Sequence, residues 1–228
     1  DFAVSLEMIH TYSLIHDDLP CMDNDDLRRG KPTNHIVFGE DIALLAGDAL
    51  ITRGYEIAAR NTEVTPEIAL AATAMLLKNA GAYGMMGGQQ IDLWGETNPV
   101  DFALLLKMHA KKTGALIIAS AKLGCFAAGI ASENDERMRR AALYAENIGL
   151  AFQVVDDILD ITSDESVLGK PVGSDEENNK TTYLDFMTLD ECASYARRLT
   201  ADAVAPLGDG EYASVLKELA LYLLDRRS

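Results

Sequence analysis

The chain has 228 residues, is 48% hydrophobic and carries a formal net charge of −16. This length and apolar content allow a sizeable core, and we expect a single domain over residues 1–228. The negative charge argues against nucleic acid or an anionic membrane surface as a partner, because both would repel the protein. The 3 cysteines are widely spaced and follow no metal-ligand pattern. Together with the lack of a recognisable signal peptide, they favour a reducing, cytoplasmic location.

The first distinctive stretch is residues 16–30, where aspartates crowd together and are followed by Arg28 and Arg29. Carboxylates this close repel one another unless a cation lies among them, and hard divalent cations prefer carboxylate oxygens. Mg²⁺ usually takes one or two protein carboxylates and completes its shell with water and phosphate, so the arginines suggest a phosphate ligand. The alternative is a solvated acidic loop, which is typical of charge runs. Pro20 disrupts a regular helix here, and a local bulge would be needed to bring Asp23 to the same ion as Asp17.

The chain is predicted to be helical throughout. Apolar residues recur at steps of three and four, and no run of alternating apolar and polar residues predicts a strand. Thr65-Pro66 and Thr188 carry helix-start signals, and breaks are expected at residues 98–99 and 169–179. Residues 101–131 could form one helix of about thirty residues, which indicates a bundle. Lys122 interrupts the most apolar part of this region, so we expect a buried helix and no stable membrane insertion.

A second acidic cluster lies inside an apolar, helix-like run at residues 148–161. The four-residue spacing of Asp156 and Asp160 places them on one helical face, with Asp157 beside them. Burying unpaired carboxylates costs several kcal/mol each, so these acids need a metal or another cation. Two facing helices that present acids inward would form one site in the core of a bundle.

These motifs resemble those of a known enzyme family. Asp-Asp-X4-Asp followed by Leu-Arg-Arg-Gly, and Phe-Gln-X-X-Asp-Asp-X-X-Asp much later in the chain, resemble the two aspartate-rich motifs of trans-isoprenyl diphosphate synthases. The resemblance is close to bacterial farnesyl diphosphate synthases and to the related plant-type geranylgeranyl enzymes. The resemblance covers nearly the whole chain, from Glu7 to Arg227. It implies an all-α bundle of long helices around a central cavity, of the isoprenoid synthase type, and a homodimer.

The reaction implied by the resemblance is head-to-tail prenyl transfer. An allylic diphosphate (dimethylallyl or geranyl) ionises, the double bond of isopentenyl diphosphate attacks the carbocation, and a proton is lost. The site must stabilise the departing pyrophosphate, keep the cation dry and place the second substrate. Mg²⁺ ions held between the two acidic clusters would supply the first requirement as Lewis acids. This need explains why both clusters are present.

The resemblance also implies roles for particular residues. The implied metal ligands are Asp17, Asp23 and Asp156. Three further acids are expected to orient these ligands or to act through water: Asp18, Asp157 and Asp160. The implied substrate-binding residues are His10, Arg28, Arg29, Phe152 and Lys180. The implied catalytic residues are Lys112, Thr113, Gln153 and Lys170. Two more residues match the family pattern, Gln89 and Asp92. The remaining histidines are interpreted as structural: His16, His35 and His109.

Tyr12 carries the prediction of product length. In the family the side chain at this position forms the floor of the pocket that receives the growing prenyl tail. Bacterial farnesyl enzymes resemble this chain in having an aromatic residue there, whereas plant-type geranylgeranyl enzymes usually have a smaller or more flexible one. On an ideal helix Tyr12 lies about 140° around the axis from Asp17, so spacing alone leaves open a plain core role. We predict a fifteen-carbon product, with the twenty-carbon product as the alternative.

Family members also carry a longer N-terminal region before the first aspartate pair. That region contains a Gly-Gly-Lys-X-X-Arg-type segment that holds isopentenyl diphosphate, and no stretch of the 228 residues matches it. We therefore expect the sequence to lack the N-terminal part of a longer protein.

Three other functions compete with prenyl synthesis. A terpene cyclase would normally carry an Asn/Asp-X-X-Ser/Thr-X-X-X-Glu motif in place of the second aspartate cluster. A non-catalytic subunit of a heteromeric prenyl synthase would generally have lost acids from one or both motifs, and none is lost here. A bundle that binds metal only for structure would leave Arg28, Arg29, Lys112 and Lys170 unexplained.

Overall fold

The computed structural model describes residues 1–162 and 180–226. The predicted break at 169–179 and the predicted catalytic Lys170 lie outside these ranges. The α-helices are α1 Phe2–Asp17, α2 Asn34–Phe38, α3 Glu40–Ala59, α4 Pro66–Ala80, α5 Met85–Gly95, α6 Phe102–His109, α7 Ala115–Ala127, α8 Glu136–Thr162, α9 Leu189–Val204 and α10 Glu211–Leu224. The shorter elements are a π-helical turn Ala110–Gly114, 3-10 turns Tyr183–Asp185 and Ala205–Leu207, and strands β1 Leu27–Arg28 and β2 Lys31–Pro32. The predicted all-α class is confirmed.

The two strands form a hairpin that the alternation of residues did not predict. Leu27 pairs with Pro32 and Arg28 pairs with Lys31 in an antiparallel register. The two residues between the strands have positive φ angles, 52° at Arg29 and 71° at Gly30. Such turns suit the twist of a tight hairpin. Two-residue strands are too short to produce a period-two pattern in the sequence.

The helix starts follow the sequence signals. The Thr65 hydroxyl accepts a hydrogen bond from the Ile68 N–H, with Pro66 at the first helical position. Thr188 and Glu191 form the reciprocal capping box. Both predicted caps are therefore confirmed.

The predicted helix over 101–131 is present as a continuous run with one irregular turn. The Asp101 carboxylate caps its start by accepting the Leu104 N–H. The run passes through the π-helical turn and ends at Ala127. It ends early because Gly129 adopts a φ of 79°, which no continuing helix allows. π-helical turns occur frequently at functional sites, and this one contains Lys112 and Thr113.

The apolar core has two main parts. One lies among α1, α3, α4 and α7 and includes the fully buried Ile9 and Leu76. The other lies among α6, α8 and α9 and includes Leu105, Val154 and Tyr183. Packing of α7 on α8 joins the two parts. Across the described residues, no helix is both long enough and apolar enough to span a membrane.

Candidate active site

A cavity of about 1050 Å³ opens between α1, α3, α5, α7 and α8. Its walls are mainly apolar and include Met85, Leu116 and Phe152. Polar groups also line it, among them Asp17 and Lys112. This size is in the range of cavities that enclose a small organic ligand. An apolar chamber with a charged lining can hold a molecule that has a long apolar part and an anionic head.

The first aspartate cluster folds back on itself just after α1. Helix α1 ends at Asp17, close before Pro20. Beyond it the backbone N–H of Asp23 donates a 2.9 Å hydrogen bond to the Asp17 carbonyl, while the Met22 and Asn24 N–H groups donate to Leu19. This loop supplies the bulge expected between Asp17 and Asp23. Burial raises the pKa of Asp17, the Lys112 charge opposes that rise, and the Asp23 charge adds to it.

Two basic side chains pair with part of this cluster. Arg28 places Nε 2.7 Å and one terminal nitrogen 2.6 Å from Oδ1 of Asp18. Lys180 Nζ lies 3.0 Å from Oδ2 of Asp23. Burial opposes a charge on Lys180, but the carboxylates of Asp23 and Asp92 outweigh it and raise the Lys180 pKa. Arg29 differs from these residues, because it is exposed in the hairpin turn.

Two side chains of helix α5, Gln89 and Asp92, contact residues that line the cavity. Gln89 Nε2 donates a 2.6 Å hydrogen bond to Oδ1 of Asp17. Asp92 is buried and forms a 2.5 Å ion pair with Lys112. A Cβ atom on Gly88 would come within 2.1 Å of the Lys112 backbone nitrogen. Only glycine therefore lets α5 approach the π-helical turn closely enough for these contacts.

The aspartates of the second cluster differ in burial. Asp156 is 52% exposed and lies 3.0 Å from Arg226, whose guanidinium stacks 3.9 Å above the Phe152 ring. Asp157 and Asp160 are buried. Oδ2 of Asp157 accepts a 2.7 Å hydrogen bond from the Tyr183 N–H. A shared helical face thus did not give Asp156 and Asp160 the same burial.

Residues 180–183 connect the two acidic clusters. Lys180 contacts Asp23 at one end of this short segment, and Tyr183 contacts Asp157 at the other. Three residues span at most about 11 Å, so the segment brings the two clusters into one region.

The remaining predicted residues lie around the same cavity. His10, Tyr12 and Thr113 line it. The Tyr12 ring is buried and packs edge-on against His16, with ring centres 5.3 Å apart. Gln153 Oε1 lies 2.9 Å from His109 Nδ1 and 3.1 Å from the Thr113 hydroxyl.

The Polyprenyl synthetase family model matches residues 1–219. The chain belongs to the polyprenyl synthetase family. Geranylgeranyl pyrophosphate synthase 7, chloroplastic, of Arabidopsis thaliana is 46% identical over 99% of this chain and 66% of its own length. Farnesyl diphosphate synthase of Haemophilus influenzae is 42% identical over 99% of this chain and 76% of its own length.

The fold of this chain is also similar to that of a solved structure. The geranyltransferase of Helicobacter pylori, complexed with magnesium and isoprenyl diphosphate, superposes with a TM-score of 0.82 at 37% identity. The match covers 98% of this chain and 72% of that one. The curated relatives are longer than this polyprenyl synthetase chain, which spans between 61% and 76% of their lengths. The fold predicted from the motifs, a helical isoprenoid synthase, is confirmed.

In the described part of this polyprenyl synthetase chain, the carboxylates are ligands of the type that Mg²⁺ prefers, but they do not converge on one point. Within residues 1–162 and 180–226, no three acidic, histidine or cysteine side chains gather closely enough to ligate one ion together. Oδ1 of Asp23 is buried and has no hydrogen-bond partner among the described residues. A buried carboxylate oxygen left in this state fits a hard cation, which needs only one or two such ligands from protein.

Arg226 is a residue of the site to which the sequence analysis assigned no role. Its position near the end of the chain, after an apolar helix, gives no sign that it reaches Asp156. A cluster of basic residues at 226–227 was the only available signal.

We predict that the two neighbouring acids of the second cluster differ in their effect on stability. Asp157→Ala would leave the buried N–H of Tyr183 without its acceptor, which costs about 1–3 kcal/mol. Asp156→Ala would remove an ion pair whose carboxylate is half exposed, and Arg226 would keep its hydrogen bond to the Phe152 carbonyl, so we expect a cost of about 0–1 kcal/mol. Urea unfolding followed by circular dichroism measures both changes. Equal losses for the two variants would contradict the difference in their environments.

Proposed function

We propose that the protein is a Mg²⁺-dependent prenyltransferase. It condenses isopentenyl diphosphate with dimethylallyl or geranyl diphosphate to give farnesyl diphosphate. The observation that carries this proposal is the cavity of about 1050 Å³, which combines long apolar walls with Asp17 and Lys112 in its lining. Such a chamber suits a substrate with a prenyl tail and a diphosphate head.

The metal would be held by carboxylates of both clusters. Asp17 and Asp23 are the proposed ligands from the first cluster, and Asp156 is the proposed ligand from the second. Bound Mg²⁺ supplies Lewis-acid stabilisation of the charge on pyrophosphate. Asp18 is fixed by Arg28 and would orient the first cluster. Asp157 holds the backbone of Tyr183 and would position the segment that begins at Lys180.

The chain's own cations would bind the two diphosphates. Arg28, Lys112 and Lys180 are each paired with a carboxylate. A diphosphate could take over these cations, since charge-assisted contacts to phosphate oxygens are strong. Arg29 and His10 are the proposed partners of isopentenyl diphosphate, and His10 already lines the cavity.

The apolar walls would protect the carbocation from water. Phe152 and Thr113 line the cavity, and Gln153 is hydrogen-bonded to Thr113. These side chains offer π electrons and oxygen lone pairs but no strong nucleophile. They would therefore stabilise a cation without trapping it.

A product assay tests the proposal. The whole protein is incubated with Mg²⁺, radiolabelled isopentenyl diphosphate and each allylic diphosphate in turn, and the products are separated by chain length. We expect farnesyl diphosphate, and no product when EDTA is added. Mainly twenty-carbon product would favour a geranylgeranyl synthase. No product with any allylic substrate would favour a non-catalytic subunit, and cyclic hydrocarbons formed without isopentenyl diphosphate would indicate a terpene cyclase.

We also propose that the protein is a homodimer. Helix α3 packs against α2 and against α4, and these three helices leave large apolar side chains exposed: Ile36, Val37, Phe38, Leu45 and Leu70. A second copy would remove this apolar surface from water. We expect sedimentation analysis to give a dimer mass, and Leu45→Glu to shift it towards the monomer. Leu143→Glu, at an exposed position on α8, is the matched control. A monomeric wild-type protein, or an unchanged dimer in Leu45→Glu, would refute the proposal.

A further inference from the structure

A chain of hydrogen bonds leads from a buried histidine to the cavity wall. His109 Nδ1 lies 2.9 Å from Oε1 of Gln153. The Thr113 hydroxyl donates to the same oxygen at 3.1 Å. Thr113 lines the cavity, whereas His109 lies behind it and is buried. The Gln153 amide therefore joins a residue remote from the cavity to one that faces it.

The direction of the hydrogen bonds decides what Thr113 offers to the cavity. A hydroxyl group has one hydrogen to donate and two lone pairs to accept with. While its hydrogen is directed to Gln153, only lone pairs remain for the cavity. If the Gln153 amide were turned over, its NH₂ would donate to Thr113 and the hydroxyl hydrogen would be free to point into the cavity.

The environment of His109 favours the first arrangement. Its Nε2 atom is buried and has no hydrogen-bond partner among the described residues. A bare acceptor nitrogen is tolerated there better than an unpaired N–H, so the ring proton belongs on Nδ1. The ring is held flat against Tyr183, with centres 5.2 Å apart and planes 14° apart. Burial lowers the His109 pKa to about 4, so the ring is neutral at pH 7.

We propose that His109 is a positioning residue that fixes the Gln153 amide so that the Thr113 hydroxyl presents its oxygen lone pairs to the cavity. This inference rests on the proposed function, in which a prenyl cation forms beside Thr113. Lone pairs directed at that cation lower its energy, whereas a hydroxyl hydrogen directed at it would raise it. His109 was interpreted as purely structural from the sequence, and the proposal replaces that interpretation.

The first test reads the His109 tautomer and needs no catalysis. Long-range ¹H–¹⁵N correlation spectra of protein labelled with ¹⁵N-histidine distinguish a protonated from a bare ring nitrogen. His109→Asn assigns the His109 signals by their disappearance. We expect Nδ1 to be protonated and Nε2 bare at pH 7, and Gln153→Leu to abolish this preference. A ring protonated on Nε2, or on both nitrogens, would overturn the proposal.

The second test is kinetic and uses the whole protein. His109→Leu removes one orienting hydrogen bond, so kcat should fall roughly threefold to tenfold while KM stays nearly constant. His109→Asn can still donate an N–H near the Nδ1 position and should recover most of this loss. In a Gln153→Ala background, His109→Leu should cause no further decrease, because the residue would act only through Gln153.

A buried histidine elsewhere supplies the matched control. His35 Nδ1 is paired with the Thr33 hydroxyl at 3.1 Å, and the residue does not line the cavity. His35→Leu should change stability but not kcat.

If His109→Leu lowers kcat equally in the wild-type and the Gln153→Ala backgrounds, His109 has only a structural role. If His109→Leu does not fold, His109→Asn and the tautomer spectrum still decide. If His109 has the expected tautomer but the protein shows no prenyltransferase activity, the proposed function is refuted. The hydrogen bonds from His109 through Gln153 to Thr113 would still stand.

Discussion

Replacing Asp17 with asparagine should lower kcat by about a hundredfold to a thousandfold. This is the scale observed when one group that stabilises developing charge is removed. Asp17 lines the cavity, accepts a hydrogen bond from Gln89 and lies near Lys112 and Asp23. Asparagine keeps the size of the side chain but removes the charge that a divalent cation requires. Steady-state kinetics on the whole protein, with circular dichroism to verify folding, measures the effect.

Asp26→Asn is the matched control for this variant. Asp26 belongs to the same acidic stretch, but it is exposed and does not line the cavity. We expect its kcat to stay within about twofold of the wild-type value, as for most surface substitutions. Comparable losses at the two positions would mean that general negative charge matters and that Asp17 has no special role.

Replacing Tyr12 with alanine should lengthen the product from fifteen carbons to twenty or more. Tyr12 lines the cavity, and its ring packs edge-on against His16. An aromatic ring is a large and rigid stop, and its removal leaves space that a growing prenyl chain can occupy. Chromatography of the dephosphorylated products, from assays with isopentenyl and geranyl diphosphates, gives the distribution of chain lengths.

Tyr12→Phe is the control that keeps the ring and removes only the hydroxyl. It should leave the fifteen-carbon product dominant. The assignment of Tyr12 as the floor would fail if the wild-type protein already makes mainly twenty-carbon product. It would also fail if Tyr12→Ala and Tyr12→Phe give the same distribution. Relatives named for both product lengths match this chain, so this experiment bears directly on the product.

Local signals in the sequence predicted the fold well. Thr65 and Thr188 cap helices because short-range hydrogen bonds between a side chain and the following backbone need no tertiary context. The π-helical turn at Ala110–Gly114 was not predicted, because the local sequence Ala-Lys-Lys-Thr-Gly carries no signal that distinguishes a wide turn from a regular one. The contact of this turn with Gly88 of α5 is tertiary, and the local sequence does not encode it.

The site was predicted less completely, because its contacts join distant parts of the chain. Asp156 and Asp160 share a helical face by spacing, yet one is exposed and the other buried. The burial of each aspartate depends on which other elements pack over it. The spacing of residues along one helix does not show this. The pairing of Arg226 with Asp156 and of Lys180 with Asp23 depends equally on tertiary packing.

The π-helical turn also allows the continuous helical run from α6 to α7 to pack into both apolar cores. Before the turn, Leu105 and Met108 pack into the core shared with α8 and α9. After it, Leu123 and Phe126 pack into the core shared with α1, α3 and α4. A wider turn shifts the angular phase of every residue that follows, so each half of the run faces its own core. Lys112 and Thr113 lie at this change of phase, where deleting one residue would convert the wide turn into a regular one and still leave the apolar face of α7 towards its core.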